Sequence, residues 1–211
     1  MKTAPIDYEE KLYSRGLFKI GGMDEVGRGP LAGPVTACVV IMPQGVIIPE
    51  VNDSKRLSAK KREELAPIIK ETAIDYAIGW ADAALIDKIN ILQATYFAMA
   101  QAFESLKHPP DALLVDGPKV SCKTWPINIP CTFIKGGDGA SHSIACASII
   151  AKVARDAFMQ EWHEKYPCYG FDTNKGYGTV KHRAAIQNYG FCPLHRRSFV
   201  GKRKGVSADH T

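Results

Sequence analysis

Hydrophobic positions along the chain fall into short continuous runs and into longer stretches with helical spacing. Five short apolar runs predict β-strands, the first two as neighbours joined through Gly33-Pro34: 18–23, 35–42, 74–80, 112–116 and 131–134. Four stretches with apolar residues on one face predict helices, the second interrupted near Asn90: 58–72, 83–106, 141–162 and 179–189. Strands that first come together and then alternate with helices are typical of an α/β domain. We predict a mixed central sheet flanked by helices, plus a small helical C-terminal part.

The chain has 211 residues, which suits one domain with small additions. We predict an N-terminal segment at 1–16, a main domain at 17–178, and a helical C-terminal extension with a basic tail at 179–211. The first residues turn acidic at once and form no apolar signal region. The longest largely apolar stretch, 35–42, is far too short to span a bilayer. These features predict a cytoplasmic protein with no membrane partner.

Net charge is a modest +5, and its distribution is more informative than its size. The tail at 195–204 contains no acidic residue. A second basic group comprises Lys55, Arg56, Lys60, Lys61 and Arg62. Such groups favour a polyanionic partner, although an ordinary solvated surface remains the alternative. The six cysteines form no C-x-x-C pair, so neither a zinc site nor a disulfide framework is expected.

Candidate chemistry begins with Asp24 and Glu25, two adjacent carboxylates at the end of the first apolar run. Asp116 ends another apolar run, and Asp138 follows two glycines shortly before the helix at 141–162. Each has an ordinary alternative, as a surface pair, a turn residue or a helix-entry acid. Because sites in α/β sheets gather where strands end, we expect the carboxylates to converge. Carboxylates packed together repel unless a cation neutralises them, and an all-oxygen set favours Mg²⁺ or Mn²⁺ over zinc.

The turn Gly27-Arg28-Gly29 follows the first two carboxylates directly. It offers backbone N–H groups and one guanidinium to a phosphate. A metal site beside a phosphate site indicates phosphodiester chemistry. In such chemistry two ions roughly 3.5–4 Å apart activate water and stabilise the leaving oxygen.

Several segments resemble, in the same order, the motifs of the type 2 ribonucleases H, the ribonuclease HII family. The first is the run DEVGRGPLAGPV, and the matching segments together cover about residues 18–199: 24–35, 52–57, 115–117, 135–138, 143–156, 175–179 and 193–199. The resemblance implies an RNase H-like fold, with 17–178 as the catalytic domain. It also implies a metal-dependent endonuclease that cleaves the RNA strand of RNA–DNA hybrids and single ribonucleotides embedded in duplex DNA. The implied products carry a 5′-phosphate and a 3′-hydroxyl, and the implied roles are ribonucleotide removal and RNA primer removal.

By the same resemblance, four residues are the catalytic and metal-binding carboxylates: Asp24, Glu25, Asp116 and Asp138. Asp24 would bridge two ions, Mg²⁺ or Mn²⁺. Asp138 would lie on the water-activating side, and Glu25 and Asp116 on the leaving-group side. The protein is expected to act as a monomer.

Seven residues are predicted to contact substrate: Gly27, Arg28, Gly29, Lys55, Ser148, Lys152 and Tyr177. The glycine-arginine-glycine turn would read the ribose 2′-hydroxyl through its backbone, since glycine allows close approach. Tyr177 would pack on the neighbouring sugar, and Lys55 would touch the DNA backbone. Ser148 and Lys152 lie four residues apart on one helical face and could contact phosphate. Asp156 is better explained by an ion pair within its own helix or with a neighbour than as a fifth ligand.

One departure from the family pattern concerns Asp138. The family usually has Lys-Gly-Asp, whereas this chain has Lys135-Gly136-Gly137-Asp138. A displaced loop would take Asp138 out of the site. Two other functions stay open at this point: a hybrid-binding module without catalysis, and a hydrolase of small phosphate esters.

Overall fold

A five-stranded sheet forms the centre of the structure, a computed structural model that describes residues 3–120 and 124–200. Numbered along the chain, its strands are β1 (Ile20–Val26), β2 (Val35–Ile41), β3 (Asp75–Ala81), β4 (Ala112–Asp116) and β5 (Cys131–Ile134). Their order in the sheet is β3-β2-β1-β4-β5. β2 runs antiparallel to both β1 and β3, while β4 runs parallel to both β1 and β5. The predicted mixed sheet is confirmed.

Along the chain, the helices are α1 (Asp7–Tyr13), α2 (Ala59–Thr72), α3 (Ala83–Glu104), α4 (His142–Lys165), α5 (Phe171–Asn174), α6 (Val180–Tyr189) and α7 (Arg197–Val200). α2 and α4 pack on one face of the sheet, and α3 packs on the other. Short 3₁₀ turns lie at Gly137–Gly139 and Pro167–Tyr169. The backbone at Asn90 is non-helical, with φ 67°, which confirms the predicted interruption of α3. None of the helices in the described ranges is long and apolar enough to cross a membrane.

Local sequence explains where the main helices begin. The hydroxyl of Ser58 accepts a hydrogen bond from the Lys61 amide at 3.2 Å, which caps α2 as predicted. Ser141 caps α4 in the same way, and Thr179 caps α6. These caps leave fewer amides without a partner in the first turn of each helix.

The core divides between the two faces of the sheet. Alternate residues of β2, such as Val39, pack against α3, while Cys38 and Val40 pack beneath α2 and α4. Gly22 of β1 allows the start of α4 to lie directly on the strand. A Cβ atom built there would lie 2.0 Å from the carbonyl carbon of Ser143. This close approach places α4 beside the C-terminal end of β1, where the first two candidate carboxylates lie.

The N-terminal segment is attached to this framework through α1, a helix that the sequence pattern did not predict. Glu9 of α1 is 3% exposed. Its Oε1 accepts hydrogen bonds from the Ser143 amide at 3.0 Å, the Ser143 hydroxyl at 2.6 Å and the Ser141 hydroxyl at 2.7 Å. A residue in the first helix thus caps α4 from a distant part of the chain.

Two sequence-based expectations need correction. The first strand does not end before the carboxylates: it runs to Val26, so Asp24 and Glu25 lie inside β1 and alternate between its faces. The basic tail is not wholly a surface feature either, because His195 and Arg196 are buried at 3% and 0% exposure. The remainder of that tail, 201–204, lies outside the described residues, as does Cys122.

Candidate active site

Asp24 and Asp116 occupy adjacent positions on neighbouring parallel strands. Met23 of β1 pairs with Val115 of β4, so the next residue on each strand is one of the two aspartates. Neighbouring strands lie about 4.8 Å apart, which places the two carboxylates side by side. The pairing of Asp24 with Cys38 puts its side chain on the face covered by α4, and it is 4% exposed. The predicted convergence of these two acids is therefore present in the sheet register.

Ser148 connects Asp24 to α4. Its hydroxyl hydrogen-bonds the Asp24 carboxylate and lies 2.8 Å from the hydroxyl of Ser54. Burial raises the pKa of Asp24 well above its usual value, and repulsion from Glu25, Asp116 and Asp138 adds to the rise. This electrostatic coupling shows that the four predicted carboxylates act on one another.

Glu25 lies on the opposite face of β1 from Asp24. Its Oε1 lies 3.3 Å from Nη1 of Arg28, an ion pair that folds the guanidinium back over the strand end. Burial raises the pKa of Glu25 to about 7; the Arg28 charge opposes this rise and the Asp116 charge adds to it. Glu25 thus belongs to the same group of acids, and its basic partner comes from the glycine-arginine-glycine turn.

The loop with the extra glycine does bring Asp138 to the other acids. Gly136 adopts a left-handed conformation at φ 66°, and the Gly137 amide donates to Oδ1 of Asp116 at 2.7 Å. Asp138, in the following 3₁₀ turn, is 5% exposed, and its Oδ2 lies 3.3 Å from Nζ of Lys55. Burial raises the pKa of Asp138; Lys55 opposes this rise, and Asp53 and Asp116 add to it. The departure from the family pattern therefore does not remove Asp138 from the group.

We refer to Asp24, Glu25, Asp116 and Asp138 as the acidic cluster. As arranged here, no three acidic, histidine or cysteine side chains within 3–120 and 124–200 converge closely enough to enclose a metal ion. Their protein contacts explain this: two of the acids face Arg28 and Lys55, and two accept backbone amides, of Gly137 and of Glu25 itself. The donor chemistry nevertheless fits a hard cation, because Asp24 and Asp138 are buried and Asp24 is repelled by the other three carboxylates.

The glycine-arginine-glycine turn and Tyr177 are neighbours in space. A Cβ atom built on Gly29 would lie 3.7 Å from Cε1 of Tyr177, whose side chain is 48% exposed. In the described part of the chain, nothing accepts a hydrogen bond from the amides of Arg28 and Gly29. These two amides and an exposed aromatic ring form one surface beside the acidic cluster.

The remaining predicted contacts are placed less uniformly. The side chain of Lys55 is 81% exposed and reaches the acidic cluster. Lys152, in contrast, is 22% exposed, and its Nζ donates to Oδ1 of Asp156 at 2.5 Å. Arg62 approaches the other oxygen of Asp156 at 3.8 Å. This confirms that Asp156 is an ion-pair residue, and it gives Lys152 a partner within the protein.

Two residues that the sequence analysis assigned no role lie directly behind the turn. Arg155 and Arg196 are both 0% exposed, and both donate to backbone carbonyls of 27–34. Burial lowers the pKa of Arg196 to about 9, and the charge of Arg155 adds to the decrease. The apolar residues before Arg196 could have indicated from the sequence that it is buried, but the basic residues that follow it suggested an exposed tail.

Comparison with known proteins gives the family of the chain. Residues 21–202 match the profile of a family described as Ribonuclease HII. The chain belongs to the ribonuclease HII family. The ribonuclease HII of Geobacter metallireducens is 52% identical over 199 residues, which cover 94% of this chain and 92% of the relative. Family membership makes the protein a hydrolase of the ribonuclease H type.

Solved structures of related enzymes share the fold. The ribonuclease H2 of Pyrococcus horikoshii OT3 aligns with a TM-score of 0.69 at 28% identity, covering 85% of this chain and 93% of that one. Bst-RNase HIII, solved in complex with Mn²⁺, aligns with a TM-score of 0.68 at 19% identity, covering 86% of this chain and 67% of that one. The RNase H-like fold predicted from the sequence is confirmed.

Proposed function

We propose that this ribonuclease HII family member cleaves the RNA strand of RNA–DNA hybrids and cuts duplex DNA on the 5′ side of single embedded ribonucleotides. The products would carry a 5′-phosphate and a 3′-hydroxyl. The observation that carries the proposal is the adjacency of Asp24 and Asp116 on parallel strands, with Asp138 and Glu25 coupled to them. Such a cluster beside a glycine-rich turn suits a metal-assisted nuclease that needs close access to a ribose.

The acidic cluster would hold the divalent cations, Mg²⁺ or Mn²⁺, with two expected during catalysis. Bound there, the cations supply activation of water and stabilisation of the leaving oxygen. Lys55 and Arg28 contact Asp138 and Glu25 through one carboxylate oxygen each, so bound cations would compete with these ion pairs and displace the two basic side chains. Those two basic side chains would then be available to substrate phosphates next to the reacting bond.

Recognition of the ribose would fall to the exposed amides of the turn and to Tyr177. The amides of Arg28 and Gly29 can donate to a 2′-hydroxyl, and the absence of a side chain on Gly29 lets the sugar approach. The Tyr177 ring beside Gly29 would cover the adjacent sugar. A deoxyribose would leave the amides without an acceptor, which gives a physical basis for selectivity.

Phosphate contacts are proposed for Lys55 first, because its side chain is the more exposed of the two candidate lysines. Ser148 lies behind Asp24 and is 5% exposed, so its effect on substrate would pass through that carboxylate. Lys152 would reach a phosphate only by leaving Asp156. Monomeric state, cytoplasmic location, and roles in ribonucleotide and primer removal remain predictions.

The test uses a DNA duplex with one ribonucleotide and a strand label, in Mg²⁺ and separately in Mn²⁺. The wild type should cut once, immediately 5′ to the ribonucleotide, while Asp24→Asn should reduce the rate by about 10²–10³-fold. The matched control is Asp82→Asn, because Asp82 follows β3 at the same edge of the sheet and asparagine also caps α3. No cleavage by the wild type with either metal, or equal cleavage by Asp24→Asn, would contradict the proposal and support a function in binding alone.

A further inference from the structure

Two arginine side chains lie fully buried behind the glycine-arginine-glycine turn. Arg155 comes from the middle of α4, and Arg196 lies just before α7. Both are 0% exposed. Over residues 3–120 and 124–200, neither forms an ion pair with a carboxylate. Burying a charge without a counter-ion costs free energy, so hydrogen-bond acceptors must compensate these two guanidiniums.

The acceptors of Arg196 are four backbone carbonyls of one loop. Its Nε donates to Gly33 O at 2.9 Å, and its Nη1 donates to Arg28 O at 3.0 Å and Pro30 O at 2.9 Å. Its Nη2 donates to Gly27 O at 2.6 Å. One planar guanidinium therefore fixes the direction of four peptide groups across 27–33.

Arg155 completes the set from the other side. Its Nε donates to Pro34 O at 2.9 Å, and its Nη2 donates to Ala32 O at 3.2 Å. Its Nη1 donates to Lys175 O at 2.9 Å, two residues before Tyr177. This single side chain connects the turn to the segment that carries the exposed tyrosine ring.

The loop at 27–34 contains no helix or strand: backbone hydrogen bonds to Gly176 O and Leu194 O hold its residues 31–33 but not the amides of Arg28 and Gly29. Gly27 has φ +92°, and a Cβ atom there would lie 2.3 Å from Nε of Arg155, so the backbone rests on the guanidinium itself. A peptide whose carbonyl points inward to a cation presents its N–H group in the opposite direction. The amides of Arg28 and Gly29, which have no acceptor in the described chain, follow carbonyls of this loop.

We propose that Arg155 and Arg196 act together as positioning residues, an arginine cradle that holds residues 27–34 so that the amides of Arg28 and Gly29 face the substrate ribose. The inference rests on the proposed function for its substrate. Its structural part, that two buried guanidiniums order this loop, is independent of any activity. The chemistry requires guanidinium, because lysine carries the charge but lacks the planar fork that reaches several carbonyls at once.

Hydrogen exchange in the ligand-free protein tests the structural part. The variants are Arg196→Lys and Arg196→Met, and the control is Arg15→Met, an exposed arginine far along the chain. Both Arg196 variants should speed exchange of the hydrogen-bonded amides of Leu31, Ala32 and Gly33 by about tenfold or more, while β3 and α3 keep their protection. Unchanged exchange of these three amides would overturn the proposal.

Kinetics test the role in ribose reading. We expect kcat/KM on the single-ribonucleotide duplex to fall by about 10–100-fold in both Arg196 variants, as for a misplaced binding group. The inhibition constant of an all-DNA duplex, which offers no 2′-hydroxyl, should change by less than about threefold. Equal weakening toward both duplexes would indicate general disruption and contradict the proposal.

Two outcomes separate this inference from the proposed function. If the wild type fails to cleave the ribonucleotide duplex, the proposed function fails, and the exchange data still decide whether the cradle orders the loop. If Arg196→Met does not fold, hydrogen exchange in the wild type decides whether the loop at 27–34 is ordered. The amides of Leu31 and Gly33, bonded to Gly176 O and Leu194 O, should then exchange as slowly as those of β2, and rapid exchange would overturn the cradle.

Discussion

The contact between Glu9 and the start of α4 should contribute measurably to the free energy of unfolding. Glu9→Ala removes an acceptor from the buried Ser143 amide and from the hydroxyls of Ser141 and Ser143. A hydrogen bond to a charged group contributes about 1.5–3 kcal/mol. The interaction of a carboxylate with a helix N-terminus adds about 0.3–1 kcal/mol.

These contributions do not simply add. The two serine hydroxyls lie 3.2 Å apart and can bond to each other once Glu9 is gone. Oε2 of Glu9 is buried without a hydrogen-bond partner in the described chain, so removing this atom offsets part of the lost free energy of unfolding. We therefore expect the free energy of unfolding to fall by about 3 kcal/mol, close to one charged cap plus the dipole contribution. For a chain of this size that corresponds to a Tm decrease of about 6–12 °C.

Urea and thermal unfolding would measure the loss, with Glu10→Ala as the control because Glu10 is exposed on the same helix. Glu9→Gln keeps the acceptor without the charge, so its free energy of unfolding should lie between those of the wild type and Glu9→Ala. A Glu9→Ala protein within about 0.5 kcal/mol of Glu10→Ala would refute the argument, since that is the range of ordinary surface substitutions.

Three further predictions follow from single contacts. Gly22→Ala should lower the free energy of unfolding by about 1–3 kcal/mol, because the new methyl group meets the Ser143 backbone. A free energy of unfolding equal to that of Gly139→Ala, where nothing lies within 4 Å of the new methyl group, would contradict this. Burial lowers the pKa of His195 to about 4, so the folded state binds fewer protons than the unfolded state, and stability should fall as pH drops from about 6.5 toward 4. In His195→Gln, the free energy of unfolding measured in urea should depend less on pH than in the wild type. The same pH dependence in both proteins would be evidence against this role of His195. Lys55→Ala should weaken duplex binding and flatten its salt dependence, whereas unchanged affinity at every salt concentration would rule out the contact.

Local sequence was enough to predict most of the sheet and its helices. β4 and β5 were predicted with their observed ends, because both are short apolar runs bounded by breakers. The first strand was predicted to end too early. Its last residues include Asp24 and Glu25, whose polarity masks a ladder that pairing with β2 maintains to Val26.

Long-range contacts account for what the sequence did not predict. α1 is positioned by Glu9, whose partners on α4 lie more than a hundred residues away. Arg155 and Arg196 resemble ordinary basic residues in sequence, and only the inward carbonyls of the loop show that both are buried. The pairing of Lys55 with Asp138 also depends on two distant loops meeting, so spacing alone could not indicate it.

The side chains of the acidic cluster are brought together by the register of β1 and β4 and by the turn at Gly137–Gly139. A crystal structure of the protein with Mn²⁺, with the metal located by its anomalous signal, would show whether these side chains form a metal site. We expect Mn²⁺ bound among Asp24, Glu25, Asp116 and Asp138, with Asp138 released from Lys55. Saturating Mn²⁺ that leaves the cluster empty, with Asp138 still paired to Lys55, would contradict this expectation.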